Sequence, residues 1–313
     1  MEASLAVQNS VSRTTPTDSN GARHPFHVTK EEERQLRIQA DRLTPALVIA
    51  QPSSFDEYVQ QLMVPPAIMD LARKAANIRL AAWEVEAMRK HLEPGPLTAD
   101  EPGTKLGLLR RILLDKADKD RTHPPYIRVA CTGTGVYDDW ATKYGYTRDL
   151  GVEPGDYGSP VVLEIWPAQH YSPIHSHGHT TGIVYCLAGQ LDVMAYGELA
   201  WDARKQGLVT LTPGQCAWLS GDKFAVHKVY CPMDGDNGPT GPEYLNATSE
   251  FAASFHVYLN EDELSMDSLA AADLGRDVFE YIDEITHKKE EFKTYSDLSW
   301  NVLRRVLAET ELD

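Results

Sequence analysis

The sequence predicts a mainly β protein, in which a jelly-roll barrel is preceded and followed by helices. Seven short strand-like runs follow one another between residues 159 and 259, and Pro, Gly, Asp and Asn separate them. Many short strands at short spacing, with turn residues between them, are typical of an antiparallel jelly roll or barrel. Before and after these runs the apolar residues recur at helical spacing, so we expect an α+β chain overall.

Composition places the chain of 313 residues among globular proteins. Its net charge of −16 argues against nucleic acid or an anionic membrane as a partner. No apolar run approaches the length of a membrane span, and the first residues lack the apolar core of a signal peptide. The four cysteines (131, 186, 216 and 231) form no CxxC pair and predict free thiols in a reducing compartment. We therefore expect a cytoplasmic protein.

The N-terminal region is expected to be helical after a disordered tail. Residues 1–28 are rich in Ser, Thr, Pro and Asn without periodicity, as in mobile tails. Residues 29–122 form a helical N-terminal region, which either packs on the barrel as one unit or folds as a separate cap. Capping residues and apolar spacing predict its helices at 29–43, 53–63, 65–92 and 105–116.

The barrel is assigned to residues 123–265, and the chain returns to helix after it. The LTPGQ turn at 211–215 fits a hairpin connection between two strands. Two amphipathic stretches, 276–289 and 296–309, predict a C-terminal helical tail over residues 266–313. The strand-like runs lie at 159–167, 182–188, 190–196, 207–212, 215–219, 224–231 and 251–259.

A group of histidines within the barrel region predicts a metal site. His175 and His177 stand at i and i+2, which places both imidazoles on one face of an extended segment. His227, in a later strand-like run, can complete a facial triad that leaves open positions on an iron for substrate and oxygen. A histidine pair on a strand can also be a solvated face, and the third histidine favours the metal interpretation.

Further motifs stand in a fixed order along residues 144–260. They are Tyr146-Thr147-Arg148, Trp166 nine residues before His175, the SPIHSH segment at 172–177, His227, and Ser254-x-His256-x-Tyr258. Together they resemble the cysteine dioxygenase family, the iron-dependent thiol dioxygenases of the cupin superfamily. The resemblance implies a cupin jelly roll that binds Fe(II) through the three histidines.

The resemblance also implies catalytic roles for Ser254, His256 and Tyr258. Their spacing of i, i+2 and i+4 would place the three side chains on one face of a strand. A tyrosine hydroxyl held by His256 could donate a hydrogen bond to bound oxygen or to the substrate. The alternative is a polar inner face whose side chains are bonded to other groups.

For substrate binding the resemblance implies Tyr146, Arg148 and Trp166. A guanidinium such as that of Arg148 can hold a carboxylate in a bidentate fork and so orient a small amino acid. The alternatives are a structural salt bridge for Arg148 and a place in the core for Trp166.

The chain also departs from the family pattern. Gly182 stands where many animal members have the cysteine that forms a thioether with the active-site tyrosine, and the Ser-Pro that follows this tyrosine in many members is absent. Thr181 and Gly182 also occupy the positions where most cupins carry a glutamate ligand. The site would then consist of the three histidines alone, unless His179 joins it as a fourth.

The leading functional hypothesis is a non-haem iron enzyme that converts L-cysteine to cysteine sulfinate, with the thiol and O₂ as its partners. Relatives that act on 3-mercaptopropionate generally lack the arginine at the position of Arg148, so this residue favours cysteine. The alternatives are dioxygenation of another small thiol, such as 3-mercaptopropionate or a secondary-metabolite thiol, and a cupin that binds metal without turnover.

Overall fold

A computed structural model describes eleven segments of the chain, and two β-sheets form their centre. The predicted tail and the predicted helices at 29–43 and 53–63 lie outside these segments. The described residues are 47–48, 66–93, 107–119, 126–131, 133–148, 161–177, 180–219, 226–232, 250–260, 278–293 and 295–310.

The strands of these segments, in chain order, are β1 (Leu47–Val48), β2 (Ile127–Ala130), β3 (Val161–Pro167), β4 (His175–Ser176), β5 (Thr180–Ala188), β6 (Leu191–Tyr196), β7 (Lys205–Leu211), β8 (Gln215–Leu219), β9 (Val226–Tyr230), β10 (Phe251–Asn260), β11 (Val278–Ile282), β12 (Lys289–Lys293) and β13 (Leu298–Ser299). The helices are α1 (Pro66–Ala75), α2 (Ala82–Leu92), α3 (Leu108–Lys119), α4 (Asp138–Lys143) and α5 (Trp300–Ala308). No helix in the described segments is long and apolar enough to cross a bilayer.

The strand order is that of a jelly roll. One sheet has seven strands in the order β1-β8-β5-β10-β3-β2-β13, and the other has six in the order β12-β11-β4-β9-β6-β7. From β3 to β6 and again from β7 to β8, the chain crosses from one sheet to the other at each successive strand. This confirms the mainly β, cupin-type barrel that the sequence predicts, and the seven predicted strand-like runs correspond to β3 and β5–β10.

The space between the sheets is filled by side chains from both. Trp166 of β3 and Ala252 of β10 pack there with Val193 of β6 and Val229 of β9. Because side chains alternate along a strand, residues two positions away from these also face the interior. The turn from β5 to β6 passes close to β10, and Gly189 fits there with a φ of +68° because a Cβ would lie 2.5 Å from the Phe251 carbonyl oxygen.

The outer face of the seven-stranded sheet is covered by helices. Leu163 and Ile165, which alternate with the inward residues of β3, pack against helix residues such as Met88 and Ile112. The same core includes Leu303 of α5. The helices therefore bury the outer face of this sheet, while its inner face is left to the barrel.

The single helix predicted over residues 65–92 is in fact two helices. The chain leaves the first after Ala75, and Ala81 is extended, with φ −68° and ψ 153°, at the start of α2. The Glu84 carboxylate accepts a hydrogen bond from the Ala81 backbone N–H at 2.7 Å and so satisfies one of the helix's open donors. The alanine-rich apolar spacing continues through residues 65–92, so the sequence did not reveal that a second helix begins here.

The helix predicted over residues 276–289 is wrong, because this stretch forms strand β11 and leads to β12. Phe279 and Tyr281 are buried while Glu280 between them is exposed, which is the period of two expected for a strand. The partner is β4, with Tyr281 opposite His175. The second predicted helix is confirmed as α5, where the Ser299 hydroxyl accepts a hydrogen bond from the Val302 N–H at 3.3 Å.

Candidate metal centre

Strand pairing brings the three predicted histidines together. The short strand β4 pairs with β9 so that His175 lies directly opposite His227. His227 stands two positions before the inward-facing Val229, so both histidines point into the barrel. One ring nitrogen from each of His175, His177 and His227 lies within 4.8 Å of the other two. The predicted cluster is therefore confirmed as a group that could hold a metal ion.

A backbone hydrogen bond sets the tautomer of one ligand. Nδ1 of His175 lies 3.0 Å from the Pro173 carbonyl oxygen, which can only accept, so Nδ1 carries the hydrogen. The lone pair of Nε2 is then available to a metal, as is usual for metal-binding histidines. The ring centroids lie 4.3 Å apart for His175 and His227 and 4.9 Å apart for His175 and His177.

The site favours neutral imidazoles. Burial lowers the pKa of His175 to about 4, and it lowers the pKa of His177 well below its usual range. The neighbouring imidazoles and the positive charge of Arg128 lower the pKa of His177 further. Neutral imidazole is the form that binds metal, so these residues are ready to act as ligands near pH 7.

Phe279 forms an apolar side of the cluster. Its ring centroid lies 5.3 Å from that of His175 and 5.5 Å from that of His177. Sequence reasoning missed this residue because its segment was predicted to be helical. The alternating apolar residues 279 and 281 were the available signal.

The donor set fits a metal that prefers imidazole. No Asp, Glu or Cys joins the three histidines in the part of the chain that the structure describes. Imidazole suits iron, zinc, copper and nickel, whereas magnesium and calcium prefer oxygen ligands. His179, the alternative fourth ligand, lies outside the described residues.

The facing side of the barrel carries a chain of polar groups. The Trp166 Nε1–H donates to the Ser254 hydroxyl oxygen at 2.9 Å, and this oxygen lies 2.7 Å from Nε2 of His256. All three side chains are buried. Burial lowers the pKa of His256 well below its usual range, and the positive charge of Arg128 and the neighbouring His175 imidazole add to this effect. The structure thus joins two predicted catalytic residues to Trp166, which lies within the barrel core.

The same chain of groups includes two residues that sequence reasoning missed, Glu164 and Arg128. Oε2 of Glu164 lies 3.0 Å from Nε2 of His256, and Oε1 accepts from Nε of Arg128 at 3.2 Å. Each is the charged residue in a short apolar strand, VVLEIWP and IRVA respectively. A charge in such a run was the available signal, because an apolar strand rarely buries one without a partner.

Tyr258 is described in its backbone, and its side chain lies outside the described part. In the ladder between β5 and β10, Tyr258 lies directly opposite Gly182, and Cys186 lies opposite Ser254. The residue that faces the Tyr258 position on the adjacent strand is therefore a glycine, which has no thiol.

The structure does not bring Tyr146 and Arg148 to the histidines. Tyr146 is fully buried in the core between the helices and the outer face of the seven-stranded sheet, with its hydroxyl 3.4 Å from Nε2 of His91. Arg148 is exposed, and its backbone N–H donates to Oε1 of Glu309 at 2.6 Å. Tyr146 thus lies on the side of the sheet away from the barrel interior, and the roles of both residues in substrate binding stay predictions.

None of the four cysteines, all within the described segments, forms a disulfide bond with another, as predicted. Cys186 lies in the barrel interior, and burial raises the pKa of its thiol to about 12. Such a thiol stays protonated and unreactive at neutral pH.

Comparisons with known proteins show similarity at the level of individual solved structures. No protein-family profile matches the chain, and no curated protein matches it. A double-stranded β-helix protein from Klebsiella pneumoniae is 14% identical, with a TM-score of 0.22, over 32% of this chain and 62% of its own. The protein TT1209 from Thermus thermophilus is 16% identical, with a TM-score of 0.22, over 33% of this chain and 77% of its own.

An oxalate oxidase in complex with glycolate is 12% identical, with a TM-score of 0.24, over 42% of this chain and 50% of its own. The chain thus spans less than two thirds of the Klebsiella protein and half of this oxidase. At such identities and TM-scores none of these proteins assigns a function to this chain.

Proposed function

We propose that this protein is an iron-dependent dioxygenase that adds both atoms of O₂ to the sulfur of a small thiol, with L-cysteine as the first candidate. The observation that carries the proposal is the donor set of three imidazoles without a carboxylate among the described residues. Neutral ligands leave the charge of a divalent metal uncompensated, which favours binding of an anionic thiolate and lowers the pKa of that thiol.

A bound iron(II) would supply the redox chemistry, because it can bind thiolate and O₂ side by side. His175, His177 and His227 would hold it, and Phe279 gives the cluster an apolar side that limits water. From the facing side, His256 can hold or accept a proton close to the substrate, with Ser254 fixing its ring at 2.7 Å.

The electrostatics support an anionic ligand at the centre. Arg128 lies close enough for its charge to lower the pKa values of His175, His177 and His256. The same positive potential favours a thiolate. Arg148, on which the preference for cysteine rests, is exposed, so 3-mercaptopropionate and cysteamine belong in the same test.

Oxygen uptake by iron-loaded protein tests the proposal. With L-cysteine, 3-mercaptopropionate or cysteamine, we expect one O₂ consumed per thiol oxidised, and both atoms of ¹⁸O₂ in the sulfinate product. His175→Ala, prepared in the same way, should show neither iron nor uptake. Full iron occupancy without uptake with any of these thiols would contradict the proposal and leave a cupin that binds metal without turnover.

A further inference from the structure

Glu164 is a carboxyl group buried inside the barrel, in the middle of an otherwise apolar strand. Its residue exposure is 3%. Strand β3 lies between β2 and β10, and Glu164 is directly opposite Arg128 on one neighbour and Ser254 on the other. A carboxyl group in such a place costs free energy unless its oxygens are hydrogen-bonded, so its two oxygens need separate partners.

Arg128 engages one oxygen and leaves the other to His256. The Nε–H of Arg128 donates to Oε1 at 3.2 Å, and Oε2 lies 3.0 Å from Nε2 of His256. Arg128 is itself fixed, because its Nη1 donates to the Tyr295 carbonyl at 3.3 Å. Since an arginine N–H can only donate, Oε1 must accept, and any proton on the carboxyl group must sit on Oε2.

We propose that Glu164 is a positioning residue that decides which ring nitrogen of His256 carries the hydrogen, and so whether Nδ1 donates or accepts. When Oε2 is protonated it donates to Nε2, and the single hydrogen of the neutral ring is then on Nδ1. When Glu164 is ionised, Oε2 accepts the hydrogen of Nε2–H, and Nδ1 holds a lone pair. When the protonated pair ionises, the proton of Oε2 moves to Nε2 and the proton of Nδ1 leaves. The pair therefore loses one proton in total.

This inference deepens the proposed dioxygenase function and rests on it for its catalytic consequence. Nδ1 is the ring nitrogen that neither Glu164 nor Ser254 engages in the contacts given above. A neutral His256 whose Nδ1 changes from donor to acceptor can give or take one proton at that nitrogen without ever becoming a cation.

The pKa of Glu164 places this change of tautomer close to neutral pH. Burial raises the pKa of Glu164 to about 7, against the opposing effects of Arg128 and Lys116, while Asp297 acts in the same direction as burial. Burial keeps His256 neutral, with its pKa well below the usual range. The charged or titratable groups that face the pair come from four elements or their ends. They are Arg128 and Tyr126 of β2, Lys116 of α3, Asp297 before β13 and, from the other sheet, His175 and His177.

Glu164→Gln should hold His256 in one tautomer at every pH. Arg128 would donate to the amide oxygen, as it now does to Oε1, so the amide NH₂ would face Nε2 of His256. Nε2 must then accept, and the ring hydrogen stays on Nδ1 at every pH. The variant thus mimics the protonated acid.

The direct test is ¹⁵N NMR of histidine-labelled, metal-free protein, with the His256 signals assigned by their loss in His256→Gln. In the wild type the hydrogen should move from Nδ1 to Nε2 between about pH 5.5 and 8.5. In Glu164→Gln it should remain on Nδ1 throughout. An unchanged tautomer in the wild type over this range would overturn the proposal, and this result does not depend on whether Glu164→Gln folds.

A matched control is Glu284→Gln. Glu284 is also buried, with Oε1 at 3.1 Å from Nζ of Lys228 and Oε2 accepting from the Tyr171 hydroxyl at 2.8 Å, but Tyr171 packs in a different core cluster from that of the barrel interior. The control should leave the tautomer change of His256 intact. If it abolished the change as Glu164→Gln does, the effect would come from general loss of packing and the positioning role would be wrong.

The second arm is the pH profile of O₂ uptake by iron-loaded protein. The wild type should show an inflection in kcat near pH 7, and Glu164→Gln should lack it while KM changes less than kcat. Active protein whose inflection survives in Glu164→Gln would overturn the positioning role alone. A pH-dependent tautomer that Glu164→Gln locks, in protein without uptake of O₂, would support that role and overturn the thiol function.

Discussion

The two sides of the barrel treat charge in opposite ways. The six-stranded side carries imidazoles whose pKa values are lowered by burial. Nδ1 of His175 on this side bonds to a backbone carbonyl oxygen. The seven-stranded side buries an acid, a guanidinium, an imidazole and a hydroxyl in one connected chain. The difference suggests a division of labour, in which the first side binds metal and the second side handles protons. Metal affinity and pH dependence should then be separable by mutation.

The largest expected effect is loss of metal from the six-stranded side. His175→Ala, His177→Ala or His227→Ala should each weaken iron binding by more than about 100-fold, the upper range for changes to outer partners of a ligand, because three ligands have no redundancy. His256→Gln on the facing side should keep its iron. Metal analysis after dialysis measures both.

His179→Ala tests the same division, since that residue is the alternative ligand. It should retain about one iron per chain. Loss of iron equal to that in His175→Ala would show that the donor set is not the one proposed.

The next effect separates protons from metal. His256→Gln should lower kcat by about 10²–10⁴-fold, the range for losing a general acid or base, while iron content stays at the wild-type level. Oxygen uptake with L-cysteine and iron analysis on the same sample measure the two quantities. If the variant kept wild-type kcat, the seven-stranded side would have only a structural role.

A smaller effect concerns acid stability, and it sharpens the comparison with a region outside the barrel. His91 is buried among the helices, where burial lowers its pKa to about 3. A base with a lowered pKa stabilises the fold fully above its unfolded pKa, near 6.5, and this contribution is lost as the pH falls below that value.

His91→Gln should therefore flatten the decline of the free energy of unfolding between about pH 6.5 and 4 by up to about 1.4 kcal/mol per pH unit. Urea unfolding at several pH values measures it. His287→Asn, at an exposed histidine, should leave the decline unchanged. An unaltered slope in His91→Gln would show that other groups control acid unfolding.

A small effect is expected for Arg148→Ala. Because Arg148 is exposed, the change in kcat/KM for L-cysteine should stay within about threefold, as for a surface charge. A carboxylate clamp would instead cost about 2–4 kcal/mol, with Arg148→Lys recovering only part of it. A loss of that size at unchanged iron content would place Arg148 at the substrate.

The last prediction is that Tyr258 carries no covalent link to a cysteine. Gly182 lies opposite Tyr258, and Cys186 is four residues along the same strand, about 13 Å away at about 3.3 Å per residue. Burial also keeps the Cys186 thiol protonated, with its pKa raised to about 12. Peptide mapping should show an unmodified Tyr258. A peptide in which Tyr258 is joined to any cysteine would contradict this.

The barrel and its histidines could be predicted from sequence because their signals are local. Alternating apolar residues marked β3 and β5–β10, and His175 and His177 are two residues apart on one face. The third ligand followed from its place in a later strand. Each of these features depends on a period of two, which adjacent residues reveal.

What failed depends on contacts that are distant in sequence. Phe279 and Tyr281 sit in a stretch with apolar residues at both spacings, and only pairing with β4 selects the strand. The location of Tyr146, in a core with residues of α2 and α3, also follows from contacts that its motif does not reveal, and its role in substrate binding stays a prediction. The partners of Glu164 likewise come from β2 and β10, which no local pattern connects.

The pairing of β11 with β4 has a consequence for how the site is made. His175 gains its neighbour Tyr281 from a part of the chain more than a hundred residues later, and its other neighbour, His227, from an intermediate position. Contacts of such separation close late, because loop closure must precede them. During synthesis the histidine cluster cannot acquire its Phe279 side before that residue has left the ribosome. The apolar side that Phe279 gives the cluster is therefore completed only in the later steps of folding.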